Sequence, residues 1–276
     1  MAEGHDTASA QTGRRLGLLI LVILAASVLA TVVARRRWWL LPVASAQGAE
    51  IDRLFYTTLA VTGVAFILVH LLLGIFAWRY ADRGQRASYW HDNRTLELTW
   101  TLVPAAVLVT LISMGAVVWT RVVSAPPADA MTVEIRGEQF TWLFRYPGPD
   151  GAFGRIRPEL ISGDNPLGLD PADPAARDDI VTRELHLIVN RPVQLRIRSK
   201  DVIHSFFVPA FRLKQDAVPG MTTSMWFVPT REGVYEAACA ELCGVGHYVM
   251  KGKVKVERPQ AFAAWLASQR QASPNR

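Results

Sequence analysis

Long apolar runs dominate the first 120 residues of the chain. Three of them contain no charged side chain: Leu16–Ala34, Leu54–Trp78 and Trp100–Thr120. At about 1.5 Å of rise per residue, a helix of any of these lengths can cross a hydrocarbon core of roughly 30 Å. Because a buried helix of a soluble protein rarely stays apolar on all sides for so long, the pattern predicts membrane-spanning helices.

The loop between the second and third runs is rich in arginine. It holds two acids against four arginines, which are Arg79, Arg83, Arg86 and Arg94. Short loops enriched in Arg and Lys stay in the cytoplasm. The loop therefore predicts a bacterial-type inner-membrane protein in which everything after Thr120 lies on the periplasmic, outer face.

The first apolar run allows two interpretations. Ala44-Ser45-Ala46 resembles a signal-peptidase site, and Arg14-Arg15 would supply the charged region that precedes a signal. Against cleavage, the run is longer than a usual signal core, and it ends about ten residues before Ala46. Residues 1–53 are therefore predicted to be a cleaved signal or an extra transmembrane segment, with the retained helix preferred.

From Met131 onward the pattern changes to short runs typical of β-strands, with clear alternation of apolar and polar residues in Glu184–Val189 and Val193–Ile197. Eight such runs occur: MTVEIRG, QFTWLFRY, ELHLIVN, PVQLRIRS, HSFFVP, TTSMWFVP, GVYEAACA and KGKVKVE. After a transmembrane hairpin over 54–126, they predict an antiparallel β-sandwich or barrel over 127–257. An acidic, Gly- and Pro-rich insertion, 147–180, interrupts it, and residues 259–271 of the tail 258–276 predict a short helix.

Composition and charge exclude several classes of protein. With 50% apolar and 20% charged residues, the chain is not intrinsically disordered. Its net charge of +6 comes from residues that flank the apolar runs and the C-terminus, since 127–257 carries 16 Lys and Arg against 17 Asp and Glu. This distribution argues against a phosphate-binding groove and against a nucleic-acid partner. Two cysteines are too few for a disulfide scaffold.

Both cysteines lie in one short segment, CAELCGVGHYVM, that contains several metal-binding residue types. The segment supplies Cys239, Cys243, His247 and Met250, and His204 stands 35 residues before the first cysteine. Thiolate and thioether are soft ligands that favour copper, and imidazole also suits copper. Four interpretations remain open: a structural disulfide, a Cys2His2 zinc site, a one-cysteine blue-copper site, and a two-copper site with bridging thiolates. Of these, the two-copper site uses every ligand.

The segment resembles the binuclear CuA centre of cytochrome c oxidase subunit II. Three further segments also resemble that family: Glu97–Pro104 at the start of a membrane helix, Asp201–Ser205, and Leu213–Gly220. The resemblance implies a membrane-anchored, mostly β protein. Its helical hairpin would be followed by a cupredoxin-like Greek-key β-barrel.

The resemblance also implies a copper ligand at six positions, which are His204, Cys239, Glu241, Cys243, His247 and Met250. The two thiolates would bridge both coppers. His204 and Met250 would complete one copper, while His247 and the backbone carbonyl of Glu241 would complete the other. The Glu241 side chain is implied to help bind magnesium at the interface with subunit I.

Five residues outside the ligand set receive roles from the same resemblance. Glu97 would lie at the mouth of a proton-uptake channel of the partner, and Asp201 and Asp216 would orient ligands or face the interface. Electrons would arrive at Phe140 and Trp142. Phe140 is a departure, because the family usually has tryptophan at that position of the GEQFTW segment.

The function implied is that of an electron-accepting subunit of a terminal oxidase. The implied partners are subunit I, which carries the haems and the oxygen chemistry, subunit III, membrane lipid, and cytochrome c or another periplasmic electron donor. The chain has no Cys-x-x-Cys-His haem-attachment motif, so the donor is expected to be a separate protein. Two alternatives remain: a nitric-oxide reductase subunit and a membrane-anchored copper-delivery protein.

Overall fold

A computed structural model describes residues 2–82, 86 and 88–272, with the backbone alone for 2–9 and 272. These residues form two compact units. One comprises the residues up to Leu40 together with Asp52–Val117, and the other comprises Leu41–Ile51 together with the residues from Val118 onward. Arg83, which contributes to the predicted orientation, and the last four residues of the predicted tail lie outside the described residues.

The first unit consists mainly of three long helices. Among the described residues these are α1 (Ala2–Arg37), α2 (Ala46–Arg79) and α3 (Arg94–Val122). Each is long and apolar enough to cross a membrane, which confirms the predicted spans. The third begins immediately after Asn93, whose side-chain oxygen accepts a hydrogen bond from the Leu96 N–H at 3.1 Å. Asn93 thus caps α3, because the first N–H groups of a helix have no backbone acceptor within the helix.

Glycines allow α1 and α2 to approach each other closely. A Cβ atom added to Gly17 would lie 2.7 Å from the carbonyl oxygen of Gly74, and one added to Gly74 would lie 2.8 Å from the Leu21 side chain. Small residues at a helix–helix contact permit such close packing in membranes. The first apolar run therefore has a packing partner within its own unit, as expected of a retained helix.

The second unit, called the β-rich unit below, contains ten strands among its described residues. They are β1 (Met131–Glu138), β2 (Thr141–Tyr146), β3 (Ile180–Thr182), β4 (Glu184–Ile188), β5 (Val193–Ser199), β6 (His204–Val208), β7 (Leu213–Ala217), β8 (Thr223–Phe227), β9 (Gly233–Cys239) and β10 (Lys251–Glu257). Two five-stranded sheets, β3-β2-β1-β5-β8 and β4-β10-β9-β6-β7, enclose one apolar core. A one-turn helix, α4 (Pro174–Arg177), lies in the insertion, and α5 (Pro259–Ala272) follows the last strand.

The prediction of a purely antiparallel domain is wrong at two strand pairs. Strand β1 runs parallel to β5, and β4 runs parallel to β10. In both pairs the two strands are more than 50 residues apart in sequence. Between them the chain crosses to the other sheet and returns. Alternation within one run reveals which face is buried but carries no information on strand direction.

The insertion is fixed to the outer face of β2. Leu143 of that strand packs with Leu167 of the insertion in a small apolar cluster. Beside it, Arg145 is almost fully buried and forms ion pairs with Glu134, at 2.8 Å, and with Asp179. Since a buried charge is costly without a partner, the pairing ties the end of the insertion to the sheet.

The segment before α2 belongs to the β-rich unit. Ala44 and Ser45 are buried there, and Ala44 donates its N–H to the Ala210 carbonyl at 2.8 Å. In return, the Ala44 carbonyl accepts a hydrogen bond from the Thr230 N–H at 2.9 Å. The sequence that resembles a signal-peptidase site thus forms part of the β-rich fold, and cleavage there would remove a core residue.

Ser45→Ala tests this contribution. The Ser45 hydroxyl donates to the Phe211 carbonyl at 2.8 Å and accepts from the Gly48 N–H at 2.9 Å, in a buried setting. Losing it leaves both groups without that partner, so we expect a loss of about 1–3 kcal/mol in unfolding free energy. Thermal unfolding followed by near-UV circular dichroism measures it. Ser224→Ala, at an exposed strand position, is the control; equal stability of the two variants would contradict the assignment.

Glu184→Gln tests a surface cluster on β4. Lys253 and Lys255 approach the Glu184 carboxylate at 2.6 and 2.5 Å, and their hydrogen bonds lower its pKa from 4.5 to about 2. A carboxyl whose pKa falls on folding stabilises the fold above its unfolded pKa and loses that effect as pH falls through its folded pKa. We therefore expect Glu184→Gln to reduce stability at pH 7, with the difference from wild type shrinking between pH 4.5 and 2. The exposed pair of Glu236 and Lys251 offers Glu236→Gln as a control with a smaller effect; a difference that grows on acidification would refute the interpretation.

Candidate metal centre

Pairing between β6 and β9 brings the distant histidine to the first cysteine. His204 is the first residue of β6 and Cys239 is the last residue of β9, and the two strands pair with Phe206 opposite Cys239. The Ala240 N–H extends this ladder by donating to the Ser205 carbonyl at 2.9 Å. A separation of 35 residues in sequence is thereby closed where the start of β6 lies beside the end of β9.

The remaining ligand candidates lie in the loop that joins β9 to β10. The Cys239 N–H donates to the Met250 carbonyl at 3.0 Å, which closes the base of the loop. Gly244 has φ +130°, a conformation that residues with a side chain rarely adopt, and a short 3-10 turn follows at His247–Val249. This path turns Cys243, His247 and Met250 toward the space beside Cys239.

The two thiols and two imidazoles form one cluster. The Cys239 and Cys243 sulfurs lie 3.8 Å apart, the His204 Nδ1 lies 3.9 Å from the Cys239 sulfur, and the His247 Nδ1 lies 3.6 Å from the Cys243 sulfur. Nitrogen and sulfur ligands of a tetrahedral metal lie roughly 2.0–2.3 Å from it, so two ligands of one metal are about 3.5–3.8 Å apart. The separations of 3.6 and 3.8 Å match those edges, and the 3.9 Å between His204 and Cys239 is slightly longer.

Two further atoms join the cluster. The Met250 thioether sulfur lies 3.8 Å from the Cys243 sulfur, and the Glu241 carbonyl oxygen lies 3.2 Å from the Cys239 sulfur. His204 and Met250 are completely buried, both thiols are nearly so, and His247 is half-buried. The cluster is therefore shielded from water on the side of the core and reaches the surface through its loop.

This geometry separates the four interpretations of the motif. A disulfide requires sulfurs about 2.05 Å apart, whereas both cysteines are free thiols here. A Cys2His2 zinc site would leave the buried Met250 thioether unused, and a one-cysteine copper site would leave one buried thiol unused. The set of soft sulfur and imidazole ligands fits the binuclear copper centre, CuA, and uses all of them.

Asp201 holds the buried histidine in place. Its Oδ1 lies 2.7 Å from the His204 Nε2, and its Oδ2 accepts a hydrogen bond from the Gln139 N–H at 2.8 Å. Partial burial opposes ionisation of Asp201, but these hydrogen bonds outweigh it and lower the pKa of the carboxyl. With Nε2 engaged in this way, Nδ1 is the ring nitrogen that faces the thiols.

The environment of Cys243 favours its protonated form in the absence of metal. Burial raises the pKa of Cys243 to about 11, and the neighbouring Cys239 adds to the effect. Since copper binds thiolates, loading the site must release the Cys243 proton.

Gln139 is a site residue that the sequence analysis did not identify. Its side-chain amide donates to the Cys243 carbonyl at 2.6 Å, and its backbone N–H reaches Asp201. Gln139 thereby connects the loop between β9 and β10, called the copper loop below, to Asp201, which orients His204. The residue stands inside the GEQFTW segment, but one sequence offers no sign that its amide reaches a loop 104 residues later.

Asp216 lies one step further from the cluster. It accepts a hydrogen bond from the Ser205 hydroxyl at 2.7 Å and pairs with Lys214 at 3.2 Å. The Ser205 bond, opposed by burial, lowers the pKa of Asp216. Because Ser205 directly follows His204 in β6, Asp216 supports the strand that carries a ligand candidate.

The two aromatic residues predicted to receive electrons differ in exposure. Phe140 is half-buried and covers the copper loop so closely that a Cβ atom on Gly246 would lie 2.4 Å from its ring. Trp142 is fully buried and meets His204 edge to face, with ring centroids 5.9 Å apart. Trp142 is therefore a core residue in contact with a ligand candidate, whereas Phe140 reaches the surface.

The loop carries an apolar surface on its outer side. Four of its residues are more than half exposed: Leu242, Val245, Tyr248 and Val249. Contiguous exposed apolar side chains of this kind mark contact sites for other macromolecules.

The two glutamates that the sequence singled out are both exposed. Glu241 lies in the loop between β9 and β10, and Glu97 lies in the first turn of α3.

Comparison with known proteins gives consistent results along the chain. Residues 131–256 match the family described as cytochrome c oxidase subunit II, periplasmic domain, and residues 34–115 match its transmembrane domain. The chain is 40% identical over 232 residues to the alternative cytochrome c oxidase subunit 2 of Bradyrhizobium diazoefficiens, covering 83% of each chain. It is 34% identical over 241 residues to cytochrome c oxidase subunit 2 of Cereibacter sphaeroides, covering 83% of this chain and 79% of that one.

Among solved structures, the chain is similar to the periplasmic domain of subunit II of cytochrome oxidase of Bradyrhizobium japonicum. The identity is 28%, the TM-score is 0.41, and the match covers 54% of this chain and 99% of that chain. The match of both domains to one family, in the order seen here, and relatives that align over most of their own length establish that this chain belongs to the cytochrome c oxidase subunit II family.

Proposed function

We propose that the chain is the electron-accepting subunit of a haem-copper terminal oxidase. It receives electrons from cytochrome c or a similar periplasmic carrier and passes them to the haem of subunit I, where oxygen is reduced and protons are translocated. The observation that carries the proposal is the buried cluster of two thiols, two imidazoles and a thioether, whose loop ends in an exposed apolar surface.

In this proposal Cys239 and Cys243 would hold both coppers, His204 and Met250 would serve one of them, and His247 and the Glu241 carbonyl would serve the other. When bound, the copper pair supplies a site that accepts and releases one electron at a time. The chain contributes rigidity: backbone hydrogen bonds close the loop, Asp201 fixes His204, and burial excludes water. Ligands that do not move keep the reorganisation energy of electron transfer low.

The apolar loop surface is proposed as the contact surface for protein partners. Electrons would arrive through Phe140, whose ring packs against the loop between β9 and β10. Trp142 would continue the route because its ring packs edge to face with the His204 ring. The acidic insertion, 147–180, would attract a basic donor before contact. Aromatic contacts of this kind serve protein interfaces well because they bury much apolar area for little loss of side-chain entropy.

The remaining roles also belong to the proposal. Glu97 opens the proton-uptake channel of subunit I, the Glu241 carboxylate shares a magnesium ion with subunit I, and subunit III and lipid surround the helices. The β-rich unit faces the periplasm. Residues 1–46 stay on the mature chain, because Ala44 and Ser45 complete the β-rich unit and α1 packs on α2.

Copper stoichiometry with electron paramagnetic resonance on the copper-loaded full chain tests the proposal. The full chain is needed because the β-rich unit includes Leu41–Ile51. We expect a hyperfine pattern from two equivalent copper nuclei that share one electron. A pattern from a single nucleus would sink the bridging assignment, whatever the amount of copper bound.

Cys243→Ser sharpens that test. Its hydroxyl cannot replace a bridging thiolate, so we expect the two-copper pattern to disappear and bound copper to fall to one ion or none. Val245→Ser changes an exposed residue of the same loop and should keep the pattern. A Cys243→Ser protein that still held two coupled coppers would refute the ligand set.

Asp201→Asn tests the positioning of His204. Replacing the carboxylate weakens its contact with His204 at 2.7 Å, so we expect copper affinity to fall roughly 10–100-fold in a chelator competition. Asp216→Asn is the matched control, since Asp216 bonds to Ser205 and not to the imidazole. Equal losses in both variants would mean that Asp201 acts only through general stability.

A further inference from the structure

A cavity of about 360 Å³ lies between the outer face of the first sheet and the insertion. Strands β1, β2 and β5 form its floor, residues 156–167 of the insertion form one wall, and the turn at 220–222 between β7 and β8 forms another. Nothing in the proposed electron transfer uses this cavity, and the attraction of a basic donor by the acidic insertion does not require the insertion to enclose it.

Two arginines face each other at its floor. Arg136 of β1 and Arg198 of β5 are direct partners in the parallel register of these strands, and both line the cavity. Like charges placed opposite each other on neighbouring strands destabilise a sheet. An arrangement of this kind calls for a compensating negative charge.

The chain pairs a third arginine directly with carboxylates. Arg145, in the same cavity wall, has Glu134 and Asp179 as carboxylate partners. Among the residues that the structure describes, neither Arg136 nor Arg198 forms an ion pair with a carboxylate. Burial lowers the pKa of Arg136 and Arg198 adds to the lowering, against opposite contributions from Glu138 and Asp201.

The hydrogen bonds of the pair leave donors available. The Arg136 Nη1 donates to the Leu167 carbonyl at 3.0 Å, and the Arg198 Nε donates to the Thr222 hydroxyl oxygen at 2.7 Å. Each guanidinium has five N–H donors, so most of them remain for a ligand. Because the Thr222 oxygen accepts from Arg198, its own O–H hydrogen is free to donate.

We propose that this cavity is an oxyanion site, in which Arg136, Arg198 and Thr222 bind a phosphate-like group. Guanidinium forks match the geometry of phosphate oxygens and form charge-assisted hydrogen bonds with them. Leu143 and Leu167, in the cluster that fixes the insertion, border the site, so occupancy also stabilises the insertion on the sheet. The site lies in the β-rich unit and does not depend on copper.

Titration of the full chain with inorganic phosphate, in chloride buffer at pH 7, tests the proposal by calorimetry. We expect saturable binding of one phosphate with a Kd of about 1 mM or tighter, and a loss of roughly tenfold or more in Arg136→Gln and in Arg198→Gln. Arg196→Gln is the matched control, because Arg196 is exposed on the same strand and does not line the cavity. It should bind like wild type.

Thermal unfolding distinguishes a ligand site from a structural role. In chloride alone, Arg198→Gln should be at least as stable as wild type, since it removes a like-charge contact. Phosphate should then raise the unfolding temperature of wild type and of Arg196→Gln, but not of Arg198→Gln. Because Arg198 is exposed, this variant carries the test even if Arg136→Gln does not fold. No saturable binding up to roughly 20 mM phosphate, or equal loss in Arg196→Gln, would overturn the proposal.

Discussion

One constraint shapes the metal centre: two sulfur atoms that would both be negative in the metal-bound state lie close together. Cys239 and Cys243 place them 3.8 Å apart in a buried pocket, where the pKa of Cys243 rises to about 11. Without metal, a proton on Cys243 avoids the repulsion between two thiolates. In the metal-bound state the positive charge of the ions would replace it, so a site of soft ligands can stay closely packed in both states.

The surroundings of the thiols follow from that constraint. The Met250 thioether is an uncharged contact of the Cys243 sulfur, Trp142 packs against the His204 ring, and the Asp201 carboxylate contacts the Nε2 of His204, the ring nitrogen that does not face the sulfurs. Glycine at position 137 lets the Trp142 and His204 rings approach the β1 backbone, since a Cβ there would lie 3.0 Å from Trp142 and 3.1 Å from His204. The absence of a side chain at Gly137 thus allows the Trp142 and His204 rings to pack closely against β1.

Local features of this protein could be predicted from its sequence, and long-range ones could not. Helix length and the ligand spacing of Cys239–Met250 are properties of single continuous segments, which periodicity and residue chemistry reveal directly. Strand β7, LKQDA, escaped prediction because the polar Gln215 stands between Leu213 and Ala217, where alternation calls for an apolar residue. The parallel pairing of β1 with β5, the burial of Trp142 and the reach of Gln139 to Cys243 all depend on contacts between distant segments.

The place of Ala44 and Ser45 in the β-rich unit has a consequence for the order of folding. Their partners Ala210, Phe211 and Thr230 lie more than 160 residues later, with two long apolar helices in between. Contacts of such high sequence separation form late, because the intervening loop must first be closed. The ten strands therefore do not complete the β-rich unit by themselves as they leave the ribosome. Its packing around Ala44 and Ser45 requires the segment before α2 to lie on the same side of the membrane as the strands, which couples maturation of the fold to correct insertion of the chain.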